Sequence, residues 1–367
     1  MRGLYIHIPF CVKKCDYCDF VSFPDCTGKF SEYIGALEKE MESYAGDTID
    51  TVFVGGGTPS VLPARLIERL CKAIRRNFNV SGNAEWTIEI NPGTISDEKI
   101  TAMKNGGINR VSVGVQSFID TELREIGRIH NGKSAVETVL RLNEAGFCNI
   151  SIDLMMSLPY QTKESFLKSL DTAVLLPISH ISVYSLIIEE GTPLSKRYLK
   201  GELTEPDEDA DRELYSVTYG FLKEHGFMQY EISNYAKAGF ESRHNLKYWN
   251  CDEYIGIGVS AHSYINKTRF SNTVNLDEYI KGNGIAINKE ELDVGEMMGE
   301  YMMLGLRKTE GVNEEDFKAR FEIGITDVYN SQLDKFTRLG LMEKKDKCYC
   351  LTRKGIDLSN SVMCEFL

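Results

Sequence analysis

The chain has 367 residues, 42% of them hydrophobic and 26% charged, with a formal net charge of −12. That length is enough for one large domain plus a smaller one, and the composition is that of an ordinary globular protein. The acidic balance excludes broad, sequence-independent phosphate binding, which requires a basic face.

No apolar run approaches the roughly 20 residues that span a bilayer. Met1 leads almost directly into Leu4-Tyr-Ile-His-Ile8 without a charged leader and cleavage site, so a cytoplasmic protein is expected. Ten cysteines in such a chain do not suggest a disulfide framework. Seven of them are scattered and read as small buried hydrophobes, Cys348 and Cys350 sharing one face of a strand.

Strand-like apolar runs recur from the start of the chain, each followed by a helical pattern. Leu4–Pro9 precedes a cysteine-bearing loop and a helix over Phe30–Tyr44. Thr51–Val54 precedes Gly55-Gly-Gly-Thr-Pro-Ser60 and a helix over Pro63–Asn77. Glu85–Ile90 leads through Asn91-Pro-Gly to a short helix that ends at Asn105-Gly-Gly. Arg110–Val115, Asn149–Met155 and His180–Leu186 supply three more strands. These six βα units have strands that read as nearly continuous apolar runs, which suits a parallel sheet covered on both faces. The expectation is an α/β fold, a partial (β/α)6 TIM-like barrel, with a doubly wound sheet as the alternative. Each motif with chemical character follows the C-terminal end of a strand, which is the active face in barrel enzymes.

Beyond residue 200 the rhythm changes. Asp207–Lys223 reads as a helix, Met228–Ser233 as a strand and Phe240–Trp249 as a loop, and Gly256–Tyr264 is a glycine-rich return toward the sheet. From about residue 290 two helices and a hairpin form a smaller, mainly helical, winged-helix-like unit. Winged helices often read nucleic acid, but Glu314, Glu315, Asp316 and Glu322 give this unit mixed charge, so a lid or interface is expected. The implied domains are 1–235, a connecting segment 236–288, and 289–367.

The loop after the first strand carries Cys11, Cys15 and Cys18 in the spacing C-x3-C-x2-C. A [4Fe–4S] cluster normally takes four thiolates, so three would leave one iron open to a small-molecule ligand. Tetrahedral zinc would need a fourth nearby Cys or His. Redox work at Cys15 and Cys18 alone would leave Cys11 idle. Lys13 and Lys14 would moderate the charge of a thiolate-bound cluster, and Tyr17 could shield it from water.

C-x3-C-x2-C resembles the signature of the radical S-adenosylmethionine superfamily. More of the chain is similar to the oxygen-independent coproporphyrinogen III oxidase (HemN) family. The matching runs are Tyr5-Ile-His-Ile-Pro-Phe-Cys, Gly55-Gly-Gly-Thr-Pro, Glu89-Ile-Asn-Pro92, Arg110-Val-Ser-Val-Gly-Val-Gln-Ser-Phe118, Gly127-Arg-Ile-His-Asn131 and Asp153-Leu-Met-Met-Ser-Leu-Pro-Tyr160. The resemblance implies a [4Fe–4S] cluster on Cys11, Cys15 and Cys18, with S-adenosylmethionine at its open iron. It implies a cofactor pocket from Tyr5, Tyr17, Gly56, Gly57, Thr58, Glu89, Gln116, Arg128 and Asp153. Glu89 could accept an amino group, Gln116 and Asp153 ribose hydroxyls, and Arg128 could pair with a carboxylate.

Two departures separate the chain from the oxidase pattern: Phe20 stands where that pattern has a further cysteine, and only ten residues precede the cysteine loop. The run His244-Asn-Leu-Lys-Tyr-Trp249 instead resembles the haem-binding signature of the family's haem-chaperone branch, HemW. That implies haem contact through His244, Asn245, Tyr248 and Trp249, with Arg243 and Lys247 toward propionates. His130, His180 and His225 read as structural, and His262 is expected near the cofactor. The implied function is a haem chaperone. The alternative is coproporphyrinogen III oxidation or another radical modification of a tetrapyrrole. Implied partners are haem as cargo, haem-requiring apoproteins, an electron donor to the cluster and a second copy of the chain as a homodimer. No nucleic acid is expected.

Overall fold

The computed structural model describes residues 1–367. Six strands lie side by side and parallel in chain order. They are β1 (Arg2–Ile8), β2 (Thr48–Gly56), β3 (Asn79–Ile90), β4 (Arg110–Gln116), β5 (Asn149–Met156) and β6 (His180–Ser185). Helices α1 (Phe30–Met41), α2 (Ala64–Asn77), α3 (Asp97–Gly106), α4 (Gly132–Glu144) and α5 (Lys163–Val174) connect them. Each helix starts where local chemistry allows. Ser96 accepts from the Lys99 N–H at the head of α3, and Asn131 with Ser134 and Thr162 with Ser165 form capping boxes on α4 and α5.

Beyond β6 come α6 (Glu208–Glu224) and two short antiparallel strands, β7 (Met228–Glu231) and β8 (Asn234–Ala236). On the other side β9 (Tyr254–Ile257) pairs parallel with β1, so seven parallel strands form the heart of the sheet. Three antiparallel strands, β10 (His262–Ile265), β11 (Thr268–Ser271) and β12 (Ile287–Glu291), extend that side. The sheet has twelve strands, and its edges β12 and β7 do not pair. It is a partial barrel.

The strands alternate, which corrects the reading of apolar runs covered on both faces. One face of β1 to β6 carries Leu4, Ile6, Val52, Val54, Ile88, Val111, Val113, Ile152, Ile181 and Val183, all in the main core. The other face carries Tyr5, His7, Thr51, Glu85, Glu89, Arg110, Ser112, Gln116, Asp153, His180 and Tyr184. Side chains two apart share a face, so the helices cover an aliphatic layer while the inner surface is polar.

Phe240–Trp249 is not all loop. Arg243–Trp249 is a seven-residue helix, α7, whose first turn is capped by the Ser242 hydroxyl. It is docked through Glu85, which accepts the N–H groups of Arg243 (3.1 Å) and His244 (3.0 Å). After α8 (Val294–Gly305), the C-terminal unit contains α9 (Glu314–Phe321), α10 (Ile325–Arg338) and the hairpin β14 (Met342–Lys345) and β15 (Cys348–Leu351). The short strand β13 (Val312–Asn313) completes its three-stranded sheet. This is the expected helix–helix–hairpin arrangement, around its own core centred on Phe317, Leu333, Phe336 and Phe366. No helix is long and apolar enough to cross a membrane.

Candidate functional site

The C-terminal ends of the parallel strands surround a cavity of about 400 Å3. Cys11, Cys15 and Cys18 enter it from the loop after β1, and Tyr17 lies between the last two. Gly56 ends β2, Gly57 and Thr58 follow it, and Glu89, Gln116 and Asp153 point in from β3, β4 and β5. Arg128 reaches in from the segment before α4. The expected pocket residues are thus brought together, with one exception. Tyr5 shares the inner face but does not line the cavity, its hydroxyl engaged with His7 Nδ1 at 3.1 Å.

A chain of polar contacts ties the cysteine loop to the strand ends. Cys11 Sγ lies 3.6 Å from Thr58 Oγ1, and Asn91 Nδ2 donates to Thr58 Oγ1 (2.8 Å). Arg128 Nη2 donates to Asn91 Oδ1 (2.8 Å) and to the Gly114 carbonyl, while Nη1 donates to Cys15 Sγ (3.5 Å). Cys18 closes a turn through its N–H to the Cys15 carbonyl (3.2 Å). Burial raises the Cys11 thiol above its ordinary value and pushes the Cys18 thiol up to about 11. No three His, Cys, Asp or Glu side chains in the chain are gathered closely enough for a single bare ion.

The glycine run is shaped by close approach. Gly56 has φ of 109°, a left-handed conformation that disfavours any side chain. A Cβ on Gly57 would stand 2.8 Å from the Phe10 carbonyl, so only glycine lets this backbone pass so near the cysteine loop.

The two carboxylates are the least settled groups in the cavity. Glu89 is half-buried and accepts one backbone N–H, from Gly56 at 3.1 Å. Burial, reinforced by the nearby Asp153 charge, pushes its carboxyl up to about 8. Asp153 is also raised by burial, opposed by hydrogen bonding from the Ser182 and Ser112 hydroxyls, the latter at 3.4 Å. A carboxylate shielded from water and without a salt-bridge partner is costly to ionise, and an entering ammonium group would relieve the cost. Three thiols for a cluster, a glycine-walled strip and an unpaired carboxylate together fit an iron–sulfur centre with an amino-acid-bearing ligand. The sequence reading gave no role to Asn91, Ser112, Tyr184, Ile187 or Glu189, which also line the cavity. Ser112 and Tyr184 could have been found from the every-second-residue rule on β4 and β6. Tyr184 donates to Gln116 Oε1 at 3.0 Å and fixes that amide.

The haem-signature residues lie elsewhere, on α7 at the N-terminal ends of the strands. His244 is 1% exposed, with Nδ1 at 2.8 Å from Thr51 Oγ1 and Nε2 at 2.9 Å from the Tyr248 hydroxyl. Burial beside Lys247 and Arg110 lowers the imidazole to about 3, so it is neutral. Trp249 carries the Arg307 guanidinium over its ring at 4.4 Å. Lys247 pairs with Asp50 at 2.9 Å, and Arg243 donates to the Asn83 carbonyl at 2.7 Å. Asn245 is half-buried beside the cap. His262 is exposed on β10 and lies outside the cavity, which corrects its expected place near the cofactor.

Residues 5–173 match the family described as the radical SAM superfamily, and residues 292–358 match the HemN C-terminal domain. Heme chaperone HemW from Bacillus subtilis is 39% identical over all of this chain and 99% of its own length. The protein of the same name from Lactococcus lactis is 37% identical, again over the whole chain and 97% of its own length. Coproporphyrinogen III oxidase (HemN) from Escherichia coli superposes with a TM-score of 0.86 at 25% identity, covering 99% of this chain and 89% of that one. With the cysteine loop, glycine strip and strand-end carboxylates in the order of that fold, the chain belongs to the HemW-type branch of the HemN-like radical S-adenosylmethionine proteins.

Proposed function

We propose that this protein is a haem chaperone that binds haem and passes it to haem-requiring apoproteins from a radical S-adenosylmethionine scaffold. The observation that carries the scaffold reading is the meeting of three thiols and Glu89, which has no salt-bridge partner, in one cavity. The cargo reading is supported by similarity to chaperones along their full length. In this proposal Cys11, Cys15 and Cys18 hold a [4Fe–4S] cluster. The cluster supplies an open iron and a source of single electrons. Glu89 takes the amino group of S-adenosylmethionine, Gln116 and Asp153 orient its ribose, and Arg128 takes its carboxylate while keeping its hold on Cys15.

Haem contact belongs to α7, through His244, Asn245, Tyr248 and Trp249. His244 is engaged at Nδ1 by Thr51 and at Nε2 by Tyr248 of the same helix, so ligation through either nitrogen requires that partner to be given up. The partners are an electron donor and recipient apoproteins, the setting is the cytoplasm and the assembly a homodimer. The test is anaerobic reconstitution followed by haemin titration. Stoichiometric haem binding is expected, weakened in a His244→Ala, Trp249→Ala double variant. No haem binding by the wild type sinks the chaperone reading, and repeated turnover of a tetrapyrrole makes the protein an enzyme instead.

A further inference from the structure

The C-terminal end of α7 is held by the C-terminal unit. Arg307 and Lys308 follow α8, and Arg320 stands near the end of α9. Arg320 donates through Nη1 to the Asn250 carbonyl (2.8 Å) and through Nη2 to the Cys251 carbonyl. Lys308 donates to Asn250 Oδ1 at 2.7 Å, and the Arg307 guanidinium lies over Trp249. The turn that carries Arg307 and Lys308 is itself fixed. The Ile232 N–H donates to the Arg307 carbonyl (3.1 Å), and the Thr309 N–H to that of Tyr230 (3.0 Å). Three cations therefore converge on residues 249–251.

Their charge is poorly matched. Arg307 has a long contact to Glu231 at 3.5 Å, and Lys308 meets Glu310 at 3.3 Å, whose side chain is 75% exposed. Arg320 forms no ion pair, and its two donors go to backbone carbonyls. Trp249 Nε1 and Arg307 Nε are buried without a hydrogen-bond partner. Cations at a helix C-terminus stabilise it, but Arg320 alone meets the backbone there. Arg307 and Lys308 touch only side chains of that end, so helix capping does not account for them. The cations on α7 itself are already committed. Lys247 is buried on Asp50, and Arg243 turns to Asp50 and the Asn83 carbonyl.

We propose that Arg307, Lys308 and Arg320 form the carboxylate-binding edge of the haem site and take the two propionates of the haem that His244 ligates. Haem carries both carboxylates on one edge of a flat apolar ring, and the fit is one of charge and length. From His244 to Asn250 the helix rises about 9 Å, comparable to the reach from the centre of a porphyrin to its carboxylates. A guanidinium pairs with a carboxylate through two N–H groups. In turning to a propionate, Arg307 uncovers the face of Trp249 for the ring.

This inference rests on the haem reading of α7. The experiment titrates the full-length protein with haemin and with haemin dimethyl ester, both in the same non-ionic detergent, following the Soret band. The quantity of interest is the ratio of the two affinities, which cancels partition of the ester into detergent and any general effect on the fold. An Arg307→Gln, Lys308→Gln, Arg320→Gln triple variant should lower that ratio at least about tenfold, through loss of haemin affinity with ester affinity unchanged. Arg320→Gln alone, at an exposed position, should lower it about threefold and serves where the triple variant does not fold. An unchanged ratio overturns the proposal, even where both affinities fall, because the three cations would then only be supporting α7. Failure of the wild type to bind either form overturns the haem reading instead.

Discussion

The two ends of the barrel are built from the same strands and treat their polar groups in opposite ways. At the lower end His244 lies between Thr51 and Tyr248, and His180 lies between Ser151 Oγ at 2.7 Å and the Tyr230 hydroxyl at 2.9 Å. Glu85 there takes two backbone N–H groups from α7. At the upper end Glu89 has one backbone donor, and Asp153 has only the hydroxyls of Ser182 and, at 3.4 Å, Ser112. Arg110, buried on the inner face of β4, draws both carboxylates back toward ionisation. Polar groups that satisfy each other stabilise a fold, whereas polar groups held apart keep their free energy for a ligand.

The sharpest way to break this contrast is at the cysteines. Cys15→Ala should lower reconstituted iron from about four per chain to almost none, measured by iron assay, while circular dichroism stays unchanged. His244→Ala tests the lower end. It removes a buried ring and strands Thr51 and Tyr248, so denaturant unfolding should show a loss of about 2–4 kcal/mol with iron content intact. His244 is neutral in the fold down to about pH 3. The unfolded chain takes up that proton near pH 6.5, so this part of the stability is present above that pH and is lost as pH falls toward 3. The variant should therefore show a shallower acid limb. Full stability in the variant would mean that α7 is not the floor of the barrel.

Glu89→Gln should weaken S-adenosylmethionine binding about 10- to 100-fold by loss of a charge-assisted contact. The same change should stabilise the ligand-free protein at pH 8 by about 1–3 kcal/mol, because an ionised carboxylate no longer has to be buried. A destabilised variant would place the carboxylate among the satisfied groups. The smallest effect is on pH dependence. Glu89 titrates near 8 without ligand, and an ammonium group binds the ionised form. Affinity should fall up to about tenfold per unit as pH drops below 8, with proton release visible by calorimetry in buffers of different ionisation enthalpy. Glu89→Gln should flatten that profile.

The six βα units were legible because every second residue of each strand packs an aliphatic side chain against the helices. Most of the upper site was legible too, since Gly56, Gly57, Glu89, Gln116 and Asp153 sit where strands end. The polar inner face was harder to see. Its Thr, Ser and Gly residues interrupt the apolar runs only weakly, so Ser112 and Tyr184 passed unremarked. Helix α7 has seven residues and no apolar stripe of helical period. Its order comes from the Ser242 cap and from Glu85, which lies about 160 residues earlier. The return of Gly256–Tyr264 toward the sheet was legible, but the four-residue parallel pairing of β9 with β1 has no local signal that names the partner strand.

That last pairing also bears on how the molecule is made. One edge of β1 can join β2 as soon as a short stretch of chain has emerged, but its other edge waits for Tyr254, about 250 residues later. Contacts of such separation form late and slowly. The strand that leads into the cysteine loop therefore stays half-paired until about two thirds of the chain has been made, and it gains its second neighbour only after the segments of β1 to β6 have all appeared.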